Sequence, residues 1–513
     1  MLVPGPDLRF NHAMTKSFSR RFFLGTALGA IASPAFANPP DVSLRPVARP
    51  GSATRVVQPV PSADELVRKA GLSGDVSYAV MDLSEGRMLE EGKAALGLPP
   101  ASVAKAMTAL YALDALGAGF RFATSLHTTG GISNGIVQGD LILVGGGDPT
   151  LDTNKLADLA AALKRAGVRE VRGDFLVWGG ALPFSRGIDP GQPDHVGYNP
   201  AVSGLNLNFN RVHFEWRKSG SSYTVSMDAR SEKYRPDVRF ARMSVKNRDI
   251  PVYTYADAGG RDNWTVARGA LGNGGARWLP VRKPEIYAGE VFQTFARSHG
   301  IALKPAKIAK SAPGGTVIAQ VRSEPLSDIL KGMLKYSTNL TAEVVGMAAT
   351  RKRKGRVRDI AASAQEMSRW ARQAFGLDTA TRFVDHSGLG DKSRISARDM
   401  VLALKAARGS GPIRGLLKPI PMRDEDRRKM PNHPVKVDAK TGTLNFVSSL
   451  AGYCTAEDGR EMAFAIFTAD IPRRSALTRA QRERPEGGRE WNRRSKMLQQ
   501  KLLQRWGRVF ANS

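Results

Sequence analysis

Pro99-Pro-Ala-Ser102-Val-Ala-Lys105-Ala-Met-Thr-Ala-Leu110 is the stretch on which the reading of this chain turns. Prolines followed by small residues open a helix, because the ring fixes φ near the helical value and lacks an N–H that the first turn leaves unpaired. Ser102 and Lys105 then stand at i, i+3 on one helix face, with Cβ atoms about 5–6 Å apart. Ser102 falls at the helix start, where unpaired N–H groups and the helix dipole favour an oxyanion. No other serine of the chain has a lysine three residues on. Alone, such a pair is no more than a helix start with a solvated lysine.

Working outward, Ala63–Gly71 has helical periodicity, and Asp75–Asp82 alternates as a strand does. Ser84-Glu-Gly-Arg87 is a turn that brings a second strand back. Beyond the opening helix the texture changes. Residues 123–289 are rich in glycine and in short alternating runs, such as Gly139-Asp-Leu-Ile-Leu-Val144 and Val212-His-Phe-Glu-Trp216, with one clear helix at Leu156–Ala166. After 290 the pattern is helical again, over Leu326–Thr350, Asp359–Phe375 and Ser396–Ala407. Strands follow at Val435–Thr441, Ser448–Thr455 and Glu461–Thr468, with Asp458-Gly459 as a hairpin turn. A basic amphipathic helix closes the chain from about Glu490 to Arg505. Two early strands, three late strands and the final helix complete one α/β domain, 62–122 with 290–513. The segment 123–289 is a mostly β insertion of one or two small domains.

The 513 residues suit two or three domains, and 42% hydrophobic with 24% charged residues is an ordinary globular composition. The single cysteine, Cys454, forms no disulfide within the chain and sits in an apolar run, where packing is its role. Ser19-Arg20-Arg21-Phe-Phe-Leu24, an apolar stretch to Ala32 and Ala35-Phe-Ala37 make residues 1–37 a twin-arginine export signal. Its apolar part is too short to span a bilayer. Residues 38–61, with six prolines, are a linker. The net charge of +29 would suit nucleic acid, but export argues for anionic envelope polymers or lipid headgroups instead. A proteome that favours arginine explains it equally well. The basic tail, Arg473 to Arg508, is either an envelope contact or a packed helix with a solvated face. Neither a zinc-hydrolase pattern among the seven histidines nor a phosphate loop after Gly145–Gly147 is present, so no metal or cofactor is expected.

Two further triplets give the Ser102–Lys105 pair its meaning. Ser337-Thr-Asn339 follows the helical Leu326–Tyr336, and Lys440-Thr-Gly442 ends a strand beside a hairpin. Lys218-Ser-Gly220 also fits the last pattern, but it lies between two alternating strands and reads as their turn. Ser-x-x-Lys, Ser-x-Asn and Lys-Thr-Gly in this order are the signature of penicillin-recognising serine peptidases and β-lactamases. The 235 residues from Ser102 to Ser337 leave room for an insertion that the smaller members lack. The chain resembles the D-alanyl-D-alanine carboxypeptidase/endopeptidase family, the class C low-molecular-mass penicillin-binding proteins of peptidase family S13, over essentially all of the mature chain. Gly145–Leu151, Ser203–Asn210 and Asp385-His-Ser-Gly-Leu389 resemble its blocks. His386 stands where glycine is common and Gly390 where serine is, which bears on the shape of one edge of the site.

The resemblance implies a transpeptidase-like α/β domain with a five-stranded antiparallel sheet flanked by helices. It implies catalysis by Ser102, Lys105, Ser337, Asn339 and Lys440, with Thr441, Gly442 and Thr443 binding substrate. Ser102 would attack the penultimate D-Ala carbonyl of a peptidoglycan stem peptide while Lys105 takes its proton. The N–H groups of Ser102 and Thr443 would hold the oxyanion, and Ser337 would protonate the leaving amine. Asn339 would hold the substrate amide and Lys105, and Lys440 with Thr441 the terminal carboxylate. β-Lactams would stop at the acyl-enzyme. A lysine base has to fall from about 10.4 to about 7–8, and burial together with the charge of Lys440 is expected to lower it. A β-lactamase or esterase on the same scaffold is the alternative, distinguished by rapid penicillin turnover; a wall-binding protein without activity would need a broken motif.

Overall fold

The computed structural model describes residues 60–511 apart from Arg484. The expected export signal, 1–37, and all but the last two residues of the expected linker lie outside the described residues.

Strand Asp75–Asp82 is the fifth strand of a six-stranded sheet. In spatial order its strands are Lys418–Pro419, Lys436–Leu444, Val447–Thr455, Glu461–Ala469, Asp75–Asp82 and Met88–Gly92. Every neighbouring pair is antiparallel. The α/β, transpeptidase-like class is as expected, and the extra strand is the two-residue edge Lys418–Pro419. One face of the sheet packs on the helices Ala104–Leu116, Leu326–Tyr336, Asn339–Lys354, Ile360–Phe375 and Ala397–Ser410 around a single core. The other face is covered by Ala63–Ala70 and the terminal helix Gly488–Val509, which buries Leu498, Leu502, Leu503 and Trp506. Cys454 is buried there, and burial pushes its thiol up to about 12, so it packs as a small hydrophobe.

Ala104–Leu116 is the central helix. Its sequence is apolar nearly all round, as a helix surrounded by protein requires, and Lys105 and Thr108 are buried along with its alanines. The long helix expected over Leu326–Thr350 is two helices. Ser337 takes φ 59°, ψ 39° and closes the first, and Asn339 opens the second. A left-handed serine costs on the order of 1 kcal/mol, so the surrounding packing has to hold it.

The insertion has its own core. A mixed sheet of Lys307–Ile308, Phe175–Trp178, Leu141–Gly145, Ala123–Thr128 and Thr316–Arg322 carries helices Thr153–Arg165 and Pro284–Ser298. Two three-stranded sheets, drawn from 211–280, sit beyond it. The expected boundary at 289/290 is therefore corrected. It cuts the helix Pro284–Ser298, whose Tyr287, Val291 and Phe292 belong to the insertion core, and the chain rejoins the first body only after Arg322. Lys218 and Ser219 end the strand Arg211–Ser219, and Gly220 opens the hairpin turn to Ser222–Asp228.

Candidate active site

Ser102 lies in a tight turn, Ala101–Val103, that leads straight into the central helix. Two glycines allow other segments to press on that turn. A Cβ on Gly442 would stand 2.7 Å from the Pro100 carbonyl oxygen and 3.0 Å from the Ser102 nitrogen. One on Gly388 would stand 1.8 Å from the Ala101 carbonyl oxygen. The strand Lys436–Leu444 and the 385–390 loop thus touch the Ser102 turn through backbone alone. Alternation along that strand puts Lys440 on the same side as Gly442, and Lys440 is buried while Thr441 and Thr443 are exposed.

The three triplets meet. Lys105 Nζ donates to Ser102 Oγ (3.0 Å), Asn339 Oδ1 (2.7 Å) and the Ser387 carbonyl (2.7 Å). Lys440 Nζ donates to Ser337 Oγ (3.0 Å) and the Thr441 carbonyl (2.6 Å). Lys105 thus donates to three neutral oxygens and Lys440 to two. Both ammonium groups are out of water. Burial lowers Lys105 to about 8 against an opposite pull from the carboxylates of Glu343 and Asp385. Burial is the first cause of the fall of Lys105. Lys440 is itself well below the ordinary lysine range, first through burial and then through the charge of Lys105.

Sequence reasoning passed over the groups that hold Lys105 in place. Glu343, one helical turn after Asn339 and fully buried, accepts the N–H groups of His386 (3.0 Å) and Ser387 (2.9 Å). Asp385 accepts those of Gly388 and Gly390, both at 2.6 Å. Together they shape the loop whose Ser387 carbonyl receives Lys105. Burial raises both carboxyls above their usual range. The i, i+4 spacing from Asn339 was the one available signal for Glu343. His386, the departure from the family block, is buried and held neutral far below its ordinary value by burial. Its ring bonds Ser363 Oγ at 2.8 Å and fills space that Gly346 leaves; a Cβ there would lie 2.2 Å from the ring.

A cleft of about 390 Å³ opens over Ser102 and is lined by Ser337, Asn339, Gly388 and Thr443. The insertion supplies one wall. Asn339 Nδ2 donates to the Tyr198 carbonyl (2.9 Å), and Tyr198 and Gln192 line the cleft. Arg479 and Arg482 tie the 191–192 backbone to the late segment of the first body. Arg474, nine-tenths buried, adds a cation to the far wall, donating to the Asn445 carbonyl.

A buried lysine on a serine at a helix start, a second serine on a second buried lysine, and the strand Lys436–Leu444 beside them define a penicillin-recognising serine peptidase with a large insertion. The family model of the D-Ala-D-Ala carboxypeptidase 3 (S13) family matches residues 61–490, and the chain belongs to that family. Its activity is that of a serine-type D-alanyl-D-alanine carboxypeptidase, a DD-peptidase of peptidoglycan. The chain is 28% identical to the D-alanyl-D-alanine carboxypeptidase of Actinomadura sp., over 82% of each chain. It is 25% identical to the D-alanyl-D-alanine carboxypeptidase DacB of Haemophilus influenzae, over 79% of this chain and 88% of the relative. The crystal structure of penicillin binding protein 4 from Haemophilus influenzae has the same fold, with a TM-score of 0.68 at 20% identity over 86% of this chain and 99% of that one.

Proposed function

We propose that Ser102 is the nucleophile and Lys105 its base. The observation that carries this reading is the 3.0 Å Lys105–Ser102 bond made by a lysine that burial has lowered to about 8. A substantial fraction of such a lysine is neutral just above neutral pH, and a neutral amine accepts the hydroxyl proton. The Ser102 and Thr443 N–H groups receive the oxyanion, at a helix start and near the end of the strand Lys436–Leu444 respectively. Lys440, through its 3.0 Å bond, keeps Ser337 Oγ oriented to pass a proton to the leaving amine. Asn339 fixes Lys105 with Oδ1 and orients the substrate amide; Lys440 and the exposed Thr441 and Thr443 draw the terminal carboxylate to the mouth of the strand. Gly442 keeps that strand against the nucleophile turn.

The substrate is a peptidoglycan stem peptide ending in D-Ala-D-Ala, outside the cytoplasm, and export by a twin-arginine signal delivers the folded enzyme to it. Among the described residues no helix is long and apolar enough to cross a membrane. The basic face of the terminal helix offers an electrostatic hold on anionic envelope surfaces. β-Lactams acylate the same serine; a β-lactam complex of the Haemophilus influenzae protein shares the fold. Digestion after exposure to penicillin tests this: mass spectrometry finds the adduct on the peptide that holds Ser102, and an adduct elsewhere overturns the assignment. Rapid release of the adduct would instead favour a β-lactamase.

A further inference from the structure

A second cavity, about 800 Å³, begins where the first ends. Thr443 and Asn492 line both, and Thr441 and Gly442 line the mouth of the second. Its walls carry Arg489, Arg493 and Lys496 from the terminal helix and Arg423 and Arg427 from the loop after the edge strand Lys418–Pro419. One carboxylate faces them, Asp426, and it is paired with Arg428 at 3.5 Å. Arg493 is bridged to Glu490, which lies outside the lining. The groove is therefore strongly positive, and it is built in advance of any ligand. Gln500 accepts the Arg423 N–H (2.9 Å), Gln504 donates to the Arg423 carbonyl (2.9 Å) and Lys501 bridges Glu425 (3.0 Å), so the loop is fastened to the helix.

The two cavities meet at Thr443, near the C-terminal end of the strand Lys436–Leu444. The first spreads past Thr443 toward Asn445 and Arg474, and the second spreads from Thr441 toward Ile420 and Arg423. With the scissile carbonyl on Ser102 and the terminal carboxylate at Lys440 and Thr441, the second cavity is on the leaving-group side. A free D-Ala leaving group carries one carboxylate and ends there. A cross-linked leaving group is a second stem peptide, longer and with further carboxylates, and only it reaches five cations.

We propose that this groove binds the departing stem peptide of a cross-linked substrate through its carboxylates and makes the cross-link the preferred bond. The inference rests on the Ser102 reading above. In the step it serves, the amide between the D-Ala carbonyl and the neighbouring diamino acid breaks and an ester to Ser102 Oγ forms. The serine proton ends on the departing amine, the acidic peptide leaves along the groove, and water hydrolyses the ester.

The test compares a purified cross-linked muropeptide dimer with a pentapeptide, using the full enzyme and the exposed double variant Arg489→Gln/Arg493→Gln. The ratio of kcat/KM for dimer over pentapeptide is expected to fall about tenfold, and in the unaltered enzyme the same ratio falls as salt is raised. An unchanged ratio in the variant, or a ratio indifferent to salt, overturns the groove. Penicillin labelling of Ser102, run alongside, separates the two readings: its absence in the unaltered enzyme removes the nucleophile assignment, while normal labelling with an unchanged ratio removes only the groove.

Discussion

The two cavities that meet at Thr443 of the strand Lys436–Leu444 handle charge in opposite ways. Toward Ser102, Lys105, Lys440, Glu343 and Asp385 are all buried, and each ammonium or carboxylate meets oxygens or N–H groups at fixed distances. Toward the terminal helix, Arg489 and Arg493 are exposed and keep their water. Burial moves a proton equilibrium by several kcal/mol when the group is dry, whereas exposed pairs are worth about 0–1 kcal/mol each. The dry side can thus make a base out of lysine; the wet side can only attract and sort. Substitutions should therefore split the same way: large losses of chemistry with structural cost on one side, modest and salt-sensitive changes on the other.

The largest expected effect tests the dry side directly. Ser102→Ala removes the acyl acceptor and should lower kcat/KM by about 10⁴-fold or more, with no penicillin adduct in the mass spectrum. Lys105→Met should reach a similar loss while the protein stays folded, since an apolar chain of similar length needs no desolvation. Its pH behaviour sharpens the point. In the unaltered enzyme acylation should rise with pH through about 8, where Lys105 loses its proton. The same group adds stability as pH rises from about 8 to about 10.5, because over that window the unfolded chain binds the proton and the folded chain does not. A flat acylation profile from pH 7 to 9 would remove Lys105 as the base.

Gly442→Val comes next. The added carbons meet the backbone of Pro100 and Ser102 rather than a flexible side chain, so strand and nucleophile turn must part. A displacement of about 1 Å costs on the order of 100-fold in acylation, read by stopped-flow with a chromogenic β-lactam. Wild-type rates would show that the strand is not fixed against Ser102.

Much of this architecture was legible. Asp75–Asp82 alternates cleanly between turn residues, and the structure gives those same limits. The triplets were readable because each couples a side chain to a local shape: a helix start, a left-handed break, a strand. What escaped depends on tertiary neighbours. Lys418–Pro419 is too short to show a period. The helix Pro284–Ser298 looks the same from either side of a boundary, and only its contact with Phe175 and the other insertion residues assigns it. Glu343 has the look of any helix glutamate until the 385–390 loop is folded over it. The insertion's place at the cleft, through Tyr198, has no sequence signal at all.

Glu343→Gln asks whether the dry side tolerates losing one charge without losing shape. The carboxylate accepts two N–H groups, and an amide can accept one while presenting its own N–H to the other. One buried donor is left unpaired, at about 1–3 kcal/mol, so the melting temperature should fall by several degrees. The Ser387 carbonyl then loosens its hold on Lys105, and acylation should slow by about tenfold while the pentapeptide KM stays close to its starting value, as a positioning residue implies. If the effect is purely structural, acylation per folded molecule is unchanged once stability is restored, for example by lowering the temperature. A slower acylation that persists in fully folded enzyme means that the dry side needs its second layer of buried charge to keep the first in register, which the exposed groove beyond Thr443 never requires.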